Sequence, residues 1–277
     1  MNNKPGPIGA SQSLGERYSQ RVNPAFEAVM ARRTAEREGA FFLPYLRSGM
    51  QLLDVGCGPG SITLGLAKIV EPGGAVGLDF QESQLLQAQN LADAHGVVNL
   101  RFQVGDAYQL PFPDRSFDAV FSHAVLWHLR EPVKALMEMR RVLRPNGVVG
   151  IRDGDWGGRI YAPSTAALDE WWAQTVKIRE HNGGNPFLGR HLRRLLREAG
   201  FERVTAGAST WTAGAREDVA SCATFLKAQL SGFAATALSE GLLNQADIER
   251  LNFEIDAWAQ SDDAFYVDTY CEAVGFC

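Results

Sequence analysis

The sequence predicts an α/β fold built on a mostly parallel sheet. Short apolar runs of strand length alternate with amphipathic helical runs from Gln51 to Ile151. The first of these runs enters a glycine turn, QLLDVGCGPGSI at Gln51–Ile62, and a helical pattern follows at once. The second run, Ala75–Asp79, ends on an acid.

The chain has 277 residues, 45% of them hydrophobic, enough for one large core with decorations. Met1–Gly15 is rich in Gly, Pro, Asn and Ser and reads as mobile. Leu14–Tyr18 and Phe26–Phe42 read as helical, separated by Pro24. Strand one is Gln51–Val55, and Ile62, Leu66, Ile69 and Val70 mark the helix after the glycines. Strand two is Ala75–Asp79, and Gln81–Ala94 is a helix ended by Gly96. Asn99–Val104 alternates as strand three, with Gly105, Asp106 and Ala107 beyond it. Phe117–Ser122 is strand four, and His123 follows its carboxyl end. Ala124–Leu129 is a turn or short helix carrying Trp127 and His128. Val133–Leu143 is an amphipathic helix stopped by RPNG at Arg144–Gly147, and Val148–Ile151 is strand five.

Regularity fails from Arg152 to Pro186, where Trp156, Tyr161, Trp171 and Trp172 gather. Aromatic residues beyond strand ends suit either an apolar pocket wall or the packing of an inserted helix. Leu192–Ala199 is a helix and Phe201–Val204 starts strand six. Glu217–Phe233 and Gln245–Gln260 are two more helices, and Ala264–Val274 is the last strand.

The formal charge is -5, which argues against a nucleic-acid binder. The basic run Arg190–Arg197 is interleaved with Leu192, Leu195 and Leu196 and reads as a solvated helix face. No apolar run is long enough to span a bilayer. Cys57, Cys222, Cys271 and Cys277 form neither a CxxC pair nor a metal-ligand spacing, so no metal is expected. A cytoplasmic setting with reduced thiols is the default.

Gly56, Gly58 and Gly60 permit a tight turn and close approach of a ligand to the backbone. Asp79 is placed to accept hydrogen bonds from ribose hydroxyls, as an acid does in dinucleotide-binding folds. Asp106 sits where the crevice outside the strand ends would bring an adenine amino group, or else caps a helix. Together these indicate a nucleoside-containing cofactor; a turn kept only for packing is the plain alternative. A nicotinamide dinucleotide needs a helix N-terminus free for pyrophosphate. Here Asp54 closes the first strand and Pro59 removes a backbone donor, which suits a cofactor with a positive centre better.

DVGCGPG at Asp54–Gly60 resembles the first motif of the class I S-adenosylmethionine-dependent methyltransferases, above all the small-molecule group with the ubiquinone and menaquinone enzymes. GDAYQLPF at Gly105–Phe112 and EMRRVLRPNG at Glu138–Gly147 are similar to further segments of that family. The likeness covers about residues 45–155 and weakens beyond Gly200. It implies a Rossmann-like sandwich: a seven-stranded, mostly parallel sheet, helices on both faces, and an antiparallel last strand beside strand six. One methyltransferase domain, 1–277, would comprise N-terminal lid helices (1–45), a cofactor core (46–155) and substrate-covering insertions (156–190 and 210–262). S-adenosylmethionine would meet Tyr18, Asp54, Gly56, Cys57, Gly58, Gly60, Asp79, Phe80, Gln84, Gly105, Asp106, Ala107, Ser122 and His123.

The expected reaction is methyl transfer to an oxygen, nitrogen or carbon of an apolar or ring-bearing small molecule. His123, His128 and His181 are the candidate bases, because imidazole titrates near neutrality. Trp127, Asp153, Trp156, Tyr161, Trp171 and Trp172 are the candidate substrate contacts. Asp153 and Asp155 suit either a substrate hydroxyl or a cap on the loop after strand five. The alternatives are a cyclase or S-adenosylmethionine binder on the same fold, and a nicotinamide oxidoreductase.

Overall fold

Leu52–Val55 (β1) is buried along its whole length and forms the middle of the sheet in the computed structural model, which describes residues 29–277. Ala75–Asp79 (β2) and Phe117–His123 (β4) pair with it in parallel on either side. Leu100–Val104 (β3) adds to β2, and Leu143–Gly154 (β5) adds to β4, again in parallel. Phe265–Phe276 (β8) then runs antiparallel to β5. Its two edges also carry Ile160–Ala162 (β6) and Glu202–Ala213 (β7), both antiparallel to it. The last strand thus lies between strand five and the long strand that follows the Arg190–Arg197 helix, as the resemblance implied.

Alternation along the strands sorts the core into two layers. Leu53, Val55, Val120 and Ile151 face one layer; Leu52, Ala119, Phe121 and Val148 face the other. The second layer is covered by Ala35–Glu38 (α1), Ser61–Val70 (α2) and Glu82–Ala94 (α3), through Ala35, Leu66, Val70 and Ala92. The first layer lies under Pro132–Val142 (α4), Ala166–His181 (α5), Leu192–Glu198 (α6), Arg216–Ser239 (α7) and Gln245–Ala259 (α8). Parallel strands covered on both faces explain the nearly continuous apolar runs of the sequence.

The sheet has eight described strands where seven were expected. The addition is β6, whose three residues pair with Phe265, Tyr266 and Val267 at the end of β8 that β5 does not reach. Strand five starts earlier than expected, because Leu143 already pairs with Phe117. The RPNG segment buckles within that strand, with Asn146 at φ 65, where a stop was expected. β7 runs far beyond Val204. Its small, largely exposed residues Ala206–Ser209 carry no apolar alternation, and only the ladder to β8 reveals them as strand.

The helix expected over 26–42 is interrupted. Thr34 is extended and its amide donates to Glu38 Oε2 at 2.7 Å, which starts the separate turn α1. The Met1–Gly15 stretch, the Leu14–Tyr18 helix and Tyr18 itself lie outside the described residues. Among the described residues, no helix is long and apolar enough to cross a membrane, and no His, Cys, Asp and Glu group is arranged to hold a metal.

Candidate active site

The carboxyl ends of β1, β2 and β3 meet at the glycine turn. Gly56 and Cys57 amides donate to the Leu78 carbonyl at 2.7 and 3.0 Å, which stitches the turn to β2. Gly56, Gly58 and Gly60 take φ values of 77, 52 and 79, in the left-handed region that side chains disfavour. At Gly56 an added methyl would meet Val125 at 2.2 Å, and at Gly60 it would meet Ala88 at 2.8 Å. At Gly58 nothing lies nearer than 3.9 Å, so the backbone there is open to a ligand.

Two carboxylates flank this opening. Asp79 Oδ2 accepts from the Gly58 amide and Oδ1 from the Gln81 amide, both at 2.9 Å. Burial raises its pKa, and the backbone donors oppose that rise. Asp54 is buried at the end of β1, where Thr63 Oγ1 donates to it at 2.6 Å. Burial pushes its pKa up to about 7, against the Thr63 bond, and the charge of Asp79 adds to the rise. A half-ionised acid beside a crevice favours a ligand that brings positive charge. Burial, and then the charges of Asp54 and Asp79, raise the Cys57 thiol pKa and leave it a packing residue.

Gly105 donates its amide to the Asp79 carbonyl at 3.0 Å, which brings the loop after β3 to the same crevice. Asp106 Oδ1 accepts from the Tyr108 amide at 2.9 Å, a local turn that leaves lone pairs of the carboxylate uncommitted. Phe80 is half exposed at the rim, Gln84 is buried, and Ala107 packs on the first core layer.

Ser122 Oγ donates to the Val55 carbonyl at 3.0 Å and ties β4 to β1. His123 is the last residue of β4, paired with Arg152, where the sequence placed it one step beyond. The left-handed Ala124 (φ 58) then turns the chain. The His123 ring is buried, 5.6 Å from the Tyr270 ring, and neither nitrogen has a hydrogen-bond partner among the described residues. Burial, then the charges of Arg33 and Arg152, hold its pKa well below the usual value.

The aromatic residues of the irregular stretch form one connected cluster. Trp127 meets Trp156 edge-on at 5.7 Å, and Trp156 meets Trp172 at 6.0 Å. Trp171 stands perpendicular to Trp172 at 4.1 Å, and Tyr161 lies 6.3 Å from it. Asp153 is fully buried and accepts the Leu126 amide at 3.1 Å, which holds the turn bearing Trp127. Burial raises its pKa to about 7. Asp155 caps the turn at Gly157 and accepts Arg190 Nε and Nη2, each at 2.6 Å. Burial of Asp155 opposes ionisation, but the Arg190 contacts prevail and its pKa is lowered. It is engaged in holding the loop.

The three candidate histidines are in different settings. His128 faces Arg179, whose Nη1 lies 2.7 Å from its Nδ1, and burial with that charge lowers its pKa. His181 ends α5 in an exposed position, 3.7 Å from Glu240. The sequence did not single out Arg159, Asp268, Tyr266 or Tyr270. Arg159 donates to both oxygens of Asp268, at 2.8 and 3.2 Å, deep beside Trp156 and Trp172. An aspartate within the apolar strand FYVDTY was the available signal.

A methyltransferase-domain family matches residues 46–200, more than half of the chain and the whole of the crevice described above. The chain belongs to this family. It is an S-adenosylmethionine-dependent methyltransferase of class I. An uncharacterized methyltransferase of Schizosaccharomyces pombe is 35% identical over 202 residues, 70% of this methyltransferase and 72% of the yeast protein. A demethylmenaquinone methyltransferase of Geobacillus stearothermophilus is 40% identical over 104 residues, 37% of this chain and 44% of that one. The crystal structure of YcgJ from Bacillus subtilis has the same fold, with a TM-score of 0.58 at 20% identity, covering 87% of this chain and 98% of that one.

The residues present fit the cofactor. The open backbone at Gly58, the spare lone pairs of Asp79 and Asp106, and the burial-raised Asp54 match a ligand with hydroxyls, an amino group and a positive centre.

Proposed function

We propose that the methyltransferase acts on an apolar, ring-bearing small molecule at an oxygen, nitrogen or carbon. Bound S-adenosylmethionine supplies a sulfonium-activated methyl group. Asp79 would hold its ribose hydroxyls, Asp106 its adenine amino group, and Asp54 the positive end. Gly56, Cys57, Gly58, Gly60, Phe80, Gln84, Gly105, Ala107 and Ser122 would line the rest, with Tyr18 from the segment before the described residues.

The observation that carries this reading is the unbroken aromatic cluster from Trp127 through Trp156 to Trp172, beside the ends of β4 and β5. Aromatic side chains favour a flat ring and exclude water from the transfer, and the Arg159 and Arg179 guanidiniums lie over these same rings. His123 at the end of β4 would orient the acceptor for in-line attack or take its proton. The segments 156–190 and 210–262 would cover the acceptor, and 1–45 the cofactor. A quinone-type ring, as the name of the Geobacillus enzyme suggests, is the narrower form of this proposal. The cysteines, all free, agree with a reducing cytoplasmic setting.

The test is label transfer from methyl-labelled S-adenosylmethionine to a panel of ring-bearing phenols, amines and enols. Trp172→Ala should cut turnover with the best acceptor and leave cofactor affinity unchanged. Transfer confined to protein or RNA, with none to any ring compound, would overturn the reading.

A further inference from the structure

Four buried hydrogen-bond donors beside the Trp172 ring have no partner among the described residues. Arg159 lies over Trp156 and Trp172, its Cζ 4.3 and 3.7 Å from their ring centres. Its Nε and Nη2 are taken by Asp268, and its Nη1 is buried and unbonded. Trp171 Nε1 is buried and unbonded, and Trp156 Nε1 is too. So is the hydroxyl of Tyr266, whose ring stacks on Trp172 at 6.2 Å and 20°. Buried polar atoms are nearly always bonded, so four orphans in one cluster imply a missing partner.

The chemistry of that partner follows from the donors. Guanidinium and indole groups donate only, and a tyrosine hydroxyl donates or accepts. Asp268 is already committed to Arg159. The missing partner is therefore an acceptor with free lone pairs, a ligand oxygen or a buried water.

Its position follows from the strand. Tyr266, Asp268 and Tyr270 alternate along β8 and share one face. Tyr270 meets His123 at one end of this row. Each two-residue step is about 7 Å. The Arg159–Asp268 pair thus stands about 7 Å beyond Tyr270, and Tyr266 about 13 Å beyond it. A planar system of two fused rings bearing a substituent oxygen spans the first of these distances, about 7 Å.

We propose that this face of β8 recognises the far end of the acceptor, a carbonyl or carboxylate oxygen on a planar multi-ring compound, through Arg159 Nη1 and the Tyr266 hydroxyl. The inference rests on the reading of the His123 end as the transfer site. It adds that acceptors lacking a remote oxygen are poor ligands.

Two isosteric probes test it by calorimetry on the full chain saturated with S-adenosylhomocysteine: 2-naphthoate, which only accepts, and naphthalene-2-carboxamidine, which only donates. Naphthoate should bind at least about 10-fold tighter than the amidine. Tyr266→Phe, which keeps the ring, should weaken naphthoate by about 5–10-fold, the scale of one hydrogen bond. The double variant R159Q/D268N strands no charge and should abolish the preference. Equal binding of the two probes, or naphthoate affinity untouched by Tyr266→Phe, would overturn the proposal. Titration of S-adenosylhomocysteine alone into each variant keeps the two readings apart: its failure counts against the cofactor site, and loss of probe discrimination counts only against the β8 face.

Discussion

Asp79 Oδ2 accepts the Gly58 amide at 2.9 Å, so the acid that ends β2 is bonded to the turn that ends β1. Its other oxygen accepts from Gln81, the Phe80 backbone contributes as well, and the carboxylate's remaining lone pair is open to a ligand. Asp79 therefore shapes the glycine turn and presents acceptors to it. Asp79→Ala should weaken S-adenosylhomocysteine binding by about 1.5–3 kcal/mol, the size of a hydrogen bond to a charged group. Titration calorimetry reads this directly, and unchanged affinity would remove Asp79 from the cofactor site.

Asp54 makes cofactor binding dependent on pH. Burial raises its pKa to about 7, so the free protein at neutrality carries a mixture of acid and carboxylate. A bound cation stabilises the carboxylate and lowers that pKa. Binding should therefore release a proton near pH 7 and tighten as pH rises toward 7, then level off. Calorimetry in two buffers of different ionisation enthalpy measures the release, and Asp54→Asn should abolish it. Identical heats in both buffers would mean that the positive end lies elsewhere.

Asp153 shares the upward shift, and its effect on stability runs the other way with pH. Burial raises its pKa to about 7, from the 3.8 of an exposed aspartate in the unfolded chain. Between these values the folded chain holds more protons than the unfolded chain, so stability falls as pH rises through the window. The slope approaches about 1.4 kcal/mol per pH unit for one group. The ligand-free protein should melt lower at pH 7.5 than at pH 5. Asp153→Asn keeps an acceptor for the Leu126 amide and should flatten that decline. A parallel decline in the variant would assign the effect to other groups.

The parts of this architecture legible in the sequence are those governed by local rules. Strand, glycine turn and helix from Leu52 to Val70 follow from apolar spacing and from the φ demands of Gly56 and Gly60. β7 was not legible beyond Val204, because Ala206, Gly207, Ala208 and Ser209 have no periodic apolar face and take their conformation from β8. The aromatic cluster was visible as composition, since Trp127, Trp156, Trp171 and Trp172 fall close together in the chain. The Arg159–Asp268 pair was not, because its members lie on distant segments that meet only when β8 enters the sheet beside β5. The histidines are separated by burial: His123 and His128 are enclosed and His181 is exposed, a difference that residue type does not encode.

His123 yields the sharpest test of the chemistry. Its ring is buried at the end of β4, and burial with the Arg33 and Arg152 charges keeps its pKa well below 6.5. At neutral pH it is an uncharged imidazole with both nitrogens unbonded among the described residues. Such a ring can take a proton from an acceptor hydroxyl or amine, or hold the acceptor in line with the methyl–sulfur bond. A base must be neutral to act, so protonation removes activity on the acid side only. The acid limb of the rate profile should lie below pH 6.5, in line with the lowered pKa, rather than at it. H123A and H123Q should first melt and bind S-adenosylhomocysteine as the parent does. Loss of a general base should then lower kcat by about 10²–10⁴-fold and erase the acid limb. A positioning role gives a different pattern: H123Q, which restores a polar side chain of similar reach, recovers much of the rate, and the limb persists. A kcat within a few-fold of the parent in both variants, with the same pH profile, would take His123 out of the reaction and leave alignment by the aromatic cluster as the main source of rate.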